Sequence, residues 1–177
     1  GTSAATPMVA GVVALMLEAN QNLTWRDVQH ILVQTSRKVD SDHSGWFQTK
    51  AGYWYNHAYG YGLVDATEAV NMAKSWQTVD SEIVVNMGEI TVNDYIFDDR
   101  DSGVSSTIIV NQSINIESIE VLVDVSHKYR GDLNFFLTSP SGIVSELVRE
   151  HSDPGHDYDN WIFSSVVHWG ENSFGEW

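Results

Sequence analysis

The stretch GTSAATPMVAG, residues 1–11, decides how the first part of the chain folds. Small and capping residues come first, and from Thr6 to about Ala19 the chain is apolar on almost every side. This pattern predicts a helix enclosed by protein, with Pro7 acceptable in the first turn because an N–H group there has no intrahelical partner. No initiator Met or signal-like segment precedes the helix, so we expect the chain to be part of a larger protein.

The charge of the chain is unevenly distributed along its 177 residues, of which 42% are hydrophobic. Residues 1–79 carry six acidic and five basic side chains, whereas residues 80–177 carry eighteen acidic and four basic ones. The net charges are therefore −1 and −14, which predicts two domains with a boundary near Val79. Because binding to phosphates needs Lys and Arg, the acidic half argues against nucleic acid and anionic membranes as partners.

Two further absences restrict the chemistry of the chain. It contains no Cys, which excludes disulfides, a Cys nucleophile and Cys-ligated zinc. It also has no eighteen-residue run of uninterrupted apolar residues, so we predict no membrane-spanning segment.

Two amphipathic helices follow the first one. Thr24 is a good N-cap with Asp27 three residues later, and it precedes an apolar face made of Val28, Ile31, Leu32 and Thr35. Asp65 and Glu68 predict the start of a third helix, whose narrow face consists of Ala66, Ala69, Val70 and Ala73. The intervening segment Val39–Tyr61 is predicted to be a long loop with a short hairpin.

After Val79 the sequence becomes typical of β-structure. Short β-branched and aromatic runs alternate with turn residues in SEIVVNM, STIIVN, NIESIEVLVDVS, DLNFFLTSPSG, IVSELV and the closing WIFSSVVHWGENSFGEW. These runs favour an all-β sandwich or jelly roll over residues 80–177, with its last part missing because a strand has just begun at Trp177.

Ser3 is the candidate nucleophile. A hydroxyl in the first turn of a helix lies beside unpaired N–H groups and the positive end of the helix dipole, where developing negative charge is stabilised. Small neighbours, Gly1, Ala4 and Ala5, would let a substrate backbone approach. Ser and Thr before a helix are also ordinary capping residues, so chemistry alone leaves a structural role open.

The wider sequence resembles a known family. GTSAATPMVAG is similar to the nucleophile segment of subtilisin-like proteases, and LMLEANQNLTWRDVQHILVQTS and NHAYGYGLVDATEAV resemble the kexin and furin branch. In the second half, YRGDLNFFLTSPSG, DNWIFSSVVHWGE and the final GEW resemble the P domain (homo B domain) of that branch. The resemblance covers the whole chain. It implies a helical C-terminal remnant of an α/β subtilisin-like domain at 1–79, followed by a jelly-roll P domain at 80–177.

The resemblance also implies a function. Ser3 would attack the scissile carbonyl in a Ser-His-Asp triad whose Asp and His precede it in the chain, so the 177 residues alone should be inactive. The family is calcium-dependent through sites expected upstream, cuts after paired basic residues and operates outside the cytoplasm. We therefore expect a secreted, extracellular or periplasmic protease with peptide substrates. A broader subtilase specificity remains open. The lack of Cys and the acidic second half favour a bacterial source.

Several weaker signals have structural alternatives. His57 lies beside Gly60 and Gly62, which we interpret first as backbone positions, and His30 is expected on the surface of the second helix. Two acidic loops, calcium sites or solvated turns, contain Asp94, Asp98, Asp99 and Asp101, and Asp153, Asp157, Asp159 and Asn160.

Three short motifs of the chain resemble recognition or modification signals. The tripeptide Arg130-Gly131-Asp132 is predicted to be a hairpin turn, although it spells an integrin motif. Asn22-Leu23-Thr24 and Asn111-Gln112-Ser113 are glycosylation sequons that matter only in a secreting eukaryote.

The competing function is a noncatalytic β-sandwich binding module with a helical remnant attached. In either case, the aromatic residues of the second half are expected to divide between core and interface.

Overall fold

The computed structural model describes residues 1–97 and 103–177. They form two compact units, residues 1–82 and 83–177. The first unit contains α1 (Thr2–Ala19), α2 (Trp25–Thr35), β1 (Phe47–Gln48), β2 (Trp54–Tyr55) and α3 (Ala66–Ser75). The second contains β3 (Ile109–Val110), β4 (Ile119–Val125), a 3₁₀ turn (Arg130–Asp132), β5 (Phe135–Thr138), β6 (Val144–Val148), β7 (Tyr158–Ser165) and β8 (Gly175–Glu176).

Helix α1 begins earlier than its sequence predicts and is largely uncovered within this chain. It starts at Thr2 instead of Thr6, because the carbonyl of Gly1 accepts the amides of Ala4 and Ala5. Pro7 is therefore the sixth helical residue, beyond the first turn. Within α1, Met16 alone is buried, so this chain by itself does not enclose the helix, and its enclosure by protein stays a prediction. Its contacts within the unit occupy one stripe of the helix and leave the rest uncovered.

Helices α2 and α3 begin where their capping residues predict. Thr24 and Asp27 form a complete capping box, and the side chain of Asp65 accepts the amide of Glu68. The predicted faces are also confirmed, since Ile31, Ala69 and Ala73 are fully buried. These residues form one core with Met16 and Leu23. Small side chains on α3 allow α1 to approach closely.

Asp27 has a larger role than capping a helix. Its side chain is fully buried, and Oδ1 accepts hydrogen bonds from Trp76 Nε1 at 2.8 Å and the Val79 amide at 2.9 Å. Oδ2 accepts the Thr24 amide and hydroxyl. Burial alone would raise the pKa of Asp27, but these hydrogen bonds lower it below its ordinary value. One carboxylate thus ties the start of α2 to the segment after α3.

The loop between α2 and α3 contains the expected hairpin. β1 and β2 pair antiparallel, and the bridge between Arg37 and Leu63 closes the loop at its base. Gly60 and Gly62 both have positive φ, 58° and 120°, which confirms that they are backbone positions. At Gly62 a Cβ would also collide with the carbonyl of Arg37.

The second unit is built from antiparallel strand pairs that are not all consecutive. β4 pairs with β7, β5 pairs with β6, and β3 pairs with β8. β4 and β5 therefore lie in different pairs, and the tripeptide at Arg130–Asp132 is a 3₁₀ turn between them instead of the predicted hairpin turn. The described residues confirm several strands after Val79, and a jelly roll stays a prediction.

One predicted strand does not form. The segment SEIVVNM, residues 81–87, has no strand, and Ile83 and Val84 are 65% and 79% exposed. A β-branched run becomes a strand only where a neighbour pairs with its backbone, and no described strand pairs with this segment.

The aromatic side chains of the second unit occupy both buried and exposed positions. Trp169 is buried, whereas Trp161 and Phe174 are 44% and 59% exposed. Around the β4–β7 pair, Phe135, Tyr158 and Phe163 form a ring cluster with centroid distances of 5.3–5.6 Å. Edge-to-face and tilted contacts of this kind add to the stability gained from burial.

Replacing Asp27 should destabilise the first unit. Asp27→Asn keeps the shape but exchanges an acceptor oxygen for an NH₂ group, so buried donors lose their partner at a cost of about 1–3 kcal/mol. Urea unfolding at pH 7 measures the loss. Asp42→Asn, at an exposed turn position, is the matched control and should change stability little. Equal stability of the two variants would contradict the role assigned to Asp27.

Two glycine substitutions separate backbone strain from collision. Gly52 has φ +91° and open space around it, so Gly52→Ala should cost about 1–2 kcal/mol through the backbone alone. Gly62→Ala adds the collision with the Arg37 carbonyl and should lower the free energy of unfolding clearly more. Thermal unfolding compares them, and a Gly62→Ala variant no worse than Gly52→Ala would refute the close approach.

Candidate active site

Ser3 is the second residue of α1 and is exposed. Gly1 is the N-cap and contributes no side-chain cap, so the first amides of the helix point outward without an intrahelical acceptor. The eighteen-residue helix adds the positive end of its dipole at the same place. The hydroxyl of Ser3 therefore lies where a developing oxyanion would be stabilised.

The backbone around Ser3 is open. Gly1, Ala4 and Ala5 are all exposed, and a Cβ built on Gly1 would meet nothing within 4 Å. The Thr6 hydroxyl donates to the Thr2 carbonyl at 2.9 Å and is therefore directed to the helix backbone. The small neighbours thus leave the space for a peptide backbone that the sequence predicts.

Pro7 has a direct effect on Ser3. A residue at this position of a helix normally donates its N–H to the carbonyl four residues earlier, which here belongs to Ser3. Pro7 has no N–H, so this carbonyl is left for solvent or another partner. The Ser3 carbonyl consequently lacks the donor that a regular α-helix would provide.

No side chain in the described ranges hydrogen-bonds the hydroxyl of Ser3, so the structure does not pair it with a base. His57 is exposed, and its ring lies edge-on to Tyr55 at 5.5 Å. The adjacent Asn56 is buried, accepts the Ala58 amide and contacts Nδ1 of His43 at 3.0 Å. The contacts of His57 and Asn56 are those of a turn with a structural role. His30 is half-buried against Trp76 at 6.2 Å, which corrects the prediction of a surface residue.

Much of the surface of α1 is apolar and uncovered in this chain. Met8 is 71% exposed and Leu15 is 50% exposed. By length and hydropathy the helix could also cross a membrane, with a mean hydropathy of 1.4 over eighteen residues. The sequence prediction of no membrane-spanning segment uses a stricter criterion, an uninterrupted apolar run, and Glu18 ends that run after Leu17.

The acidic loop around Asp153 is held by protein partners. Arg130 Nε donates to Asp153 at 2.8 Å, and this hydrogen bond lowers the pKa of the Asp153 carboxyl below its ordinary value. Asp157 accepts from His156 at 2.7 Å and from the His127 amide, which lowers its pKa in the same way.

The remaining residues of the two acidic loops show no metal-binding arrangement in the part of the chain that the structure describes. Asp159 accepts a hydrogen bond from the side-chain amide of Asn160. In the described part of the chain, no group of three or more His, Asp or Glu side chains is arranged to hold a metal ion. Asp94 caps the amide of Tyr95, and the predicted ligands Asp98, Asp99 and Asp101 lie outside the described residues.

The integrin-like tripeptide has a structural explanation. The Arg130 guanidinium is engaged by Asp153 and lies 5.4 Å from the Trp161 ring. Gly131 is buried, and a Cβ there would approach the His151 and Asp153 backbone to 2.5 and 2.6 Å. Contacts within the unit therefore hold both Arg130 and Gly131, and the tripeptide does not form a free recognition loop.

Three buried ionisable side chains were not predicted as important: Asp27, His168 and Glu171. For Asp27 the capping pattern was visible, but its burial depends on Trp76 and Val79, about fifty residues away. For His168 the signal was its position between the apolar residues Val167 and Trp169, which are buried. For Glu171 it was the position directly after the turn residue Gly170.

Comparison with known proteins places both halves of the chain. Residues 1–62 match the model of the subtilase family, peptidase S8, and residues 116–177 match that of the proprotein convertase P-domain. The whole chain is 37% identical to Protease KEX1 of Kluyveromyces lactis and 36% identical to Kexin of Saccharomyces cerevisiae. It spans 24% and 23% of those proteins, about a quarter of their length.

A solved structure agrees with this relationship. The serine protease of Aeromonas sobria superimposes with a TM-score of 0.91 and is 26% identical, over all of this chain and 36% of that one. The predicted subtilisin-like and P-domain parts are thereby supported, and the strands and three helices have subtilisin-like structural neighbours. The homologues of this chain are the kexin- and furin-type proprotein convertases, and the chain corresponds to the end of their subtilase catalytic domain and to their P domain.

Proposed function

We propose that this chain is part of a serine endoprotease of the proprotein convertase type, with Ser3 as its nucleophile. One observation carries the proposal: Ser3 lies exposed in the first turn of α1, within the residues that match the subtilase family. The location supplies free amides and the helix dipole for an oxyanion, which a capping role alone does not require.

Ser3 Oγ attacks the scissile carbonyl of a peptide and passes its proton to a His that an Asp orients. Both partners belong to the part of the catalytic domain that precedes Ser3 in the order known for subtilases. The Ser3 amide is one donor to the oxyanion, and a second donor, an Asn side chain, comes from the same preceding part. Paired basic residues before the cleaved bond are the proposed substrate, with a broader subtilase specificity as the alternative.

The proposed domains are residues 1–79, the end of the catalytic domain, and 80–177, a jelly-roll P domain. The compact units at 1–82 and 83–177 support this division. The rest of the catalytic domain is the proposed cover for the apolar surface of α1, including Met8 and Leu15. Protein is favoured over lipid as this cover because the subtilase match includes the whole helix.

Three further properties are proposed for the complete enzyme. The complete enzyme is proposed to need calcium at sites elsewhere in its catalytic domain, since the carboxylates of the described acidic loops are engaged by protein groups. It is proposed to act in a secretory, extracellular or periplasmic compartment. A bacterial source is favoured by the acidic, Cys-free second half, although the relatives named above at 36% and 37% identity are yeast proteins.

The 177-residue chain alone should not hydrolyse peptides. Without a base the Ser3 hydroxyl keeps its weak nucleophilicity at neutral pH. A fluorogenic peptide with paired basic residues, incubated with the purified chain, should show no turnover above buffer. Turnover that Ser3→Ala abolishes would contradict the proposed triad order.

In the complete enzyme, Ser3→Ala should nearly abolish hydrolysis of the same peptide. The expected loss of kcat is about 10⁶-fold, the scale known for subtilisin without its nucleophile. Ser41→Ala, at an exposed position of the same unit, is the control and should keep full activity. Comparable activity of the Ser3→Ala enzyme would disprove the assignment, provided circular dichroism shows both variants folded.

A further inference from the structure

The second unit contains an incompletely paired His and Glu in its interior. His168 is 0% exposed and Glu171 is 4% exposed. The distance from His168 Nδ1 to Glu171 Oε1 is 3.8 Å, too long for a direct hydrogen bond. Both ring nitrogens of His168 and Oε1 of Glu171 lack hydrogen-bond partners among the described residues. Buried polar atoms are nearly always paired, so three such atoms in one pair are exceptional.

The pair lies at a junction of the unit. Glu171 Oε2 accepts from Ser141 Oγ in the turn between β5 and β6, at 2.8 Å. The backbones of Gly170 and Glu171 exchange hydrogen bonds with Ile116 before β4. The His168 ring lies edge-on to Trp177, with ring centroids 5.1 Å apart. The turn that carries the pair, residues 166–171, therefore joins three separate segments.

Protonation of His168 is unfavourable in this buried environment. An imidazolium has two N–H donors, and neither ring nitrogen has an acceptor within hydrogen-bond distance. Among the described residues, Glu171 is the charged group beside the ring, and the Trp177 ring packs perpendicular to it. Burial lowers the pKa of His168 below its ordinary 6.5, and the Glu171 carboxylate offsets part of this shift.

The sign of the linkage follows from the direction of this shift. Below pH 6.5, His168 binds a proton more readily when the turn is unpacked and the ring is in water than when the ring is buried. The stability that neutral His168 provides is complete above pH 6.5 and is lost as the pH falls toward the lowered pKa of the packed state.

We propose that His168 and Glu171 form an acid-sensitive lock that keeps the 166–171 turn packed at neutral pH and opens it when His168 takes up a proton. Opening would release the edge contact with Trp177 and the hydrogen bond to Ser141. The lock depends on contacts within the second unit alone and stands independently of the proposed protease activity.

Hydrogen exchange of the full 177-residue chain between pH 7.5 and 5.5 tests the lock. Protection factors, corrected for the intrinsic exchange rate at each pH, are measured for peptides covering residues 158–177. They should fall below pH 6.5 by up to about tenfold per pH unit, the limit for uptake of one proton. Peptides around Ile31 in the first unit should not follow this change.

Variants assign the effect to the pair. His168→Phe with Glu171→Gln removes the titrating ring and the buried charge, and should make protection independent of pH over this range. His156→Gln, which removes a side chain 80% exposed, should keep the wild-type fall. A wild-type profile without the fall, or a fall retained by the double variant, would overturn the proposal.

A second measurement needs no variant. NMR titration of the imidazoles in the wild-type chain should find one His still neutral at pH 6, with ring shifts that respond to its neighbour Trp177. If all seven His residues titrate at or above their ordinary pKa, the lock is disproved even where the double variant does not fold.

Discussion

The packing of α1 against α3 positions Ser3 in the first unit. Met16 of α1 shares a core with Ala69 and Ala73 of α3, and their small side chains let the two helices approach. This stripe holds a helix that is otherwise exposed, and the first turn of that helix carries the candidate nucleophile. Every chemical property assigned to Ser3 depends on the direction of this helix, because its free amides and its dipole point along the helix axis.

Asp27 extends the same core to the end of the first unit. Through Trp76 and Val79 it joins the start of α2 to the chain that leaves α3. In the second unit, residues 166–171 have a comparable joining role, although there the ionisable groups remain incompletely paired. Both arrangements link stability to pH, because hydrogen bonds favour the ionised form of Asp27 whereas burial favours the neutral form of His168.

Local signals in the sequence predicted much of the first unit. The caps at Thr24 and Asp65, the small face of α3 and the positive φ of Gly60 and Gly62 all follow from interactions within a few residues. The start of α1 was missed because Pro7 suggests an N-terminus, while the Gly1 carbonyl in fact opens the helix. Its exposure could not be predicted, because composition reports that a face is apolar and not what covers it.

The second unit depended more on distant contacts. Strand runs were visible, but their partners were not, so SEIVVNM was predicted as a strand and residues 130–132 as a hairpin turn. The burial of His168 likewise arises from segments around Ile116, Ser141 and Trp177. For the candidate site, the sequence was sufficient to propose Ser3, since the candidate nucleophile lies in a contiguous motif, whereas the proposed base lies outside that motif.

Covalent labelling tests the assignment of Ser3 as the nucleophile most directly. The complete enzyme is treated with a labelled fluorophosphonate, digested, and mapped by mass spectrometry. We expect a single adduct on the Ser3 hydroxyl, and a tight substrate-like inhibitor should prevent its formation. Attachment to any other side chain, with Ser3 unmodified, would contradict it.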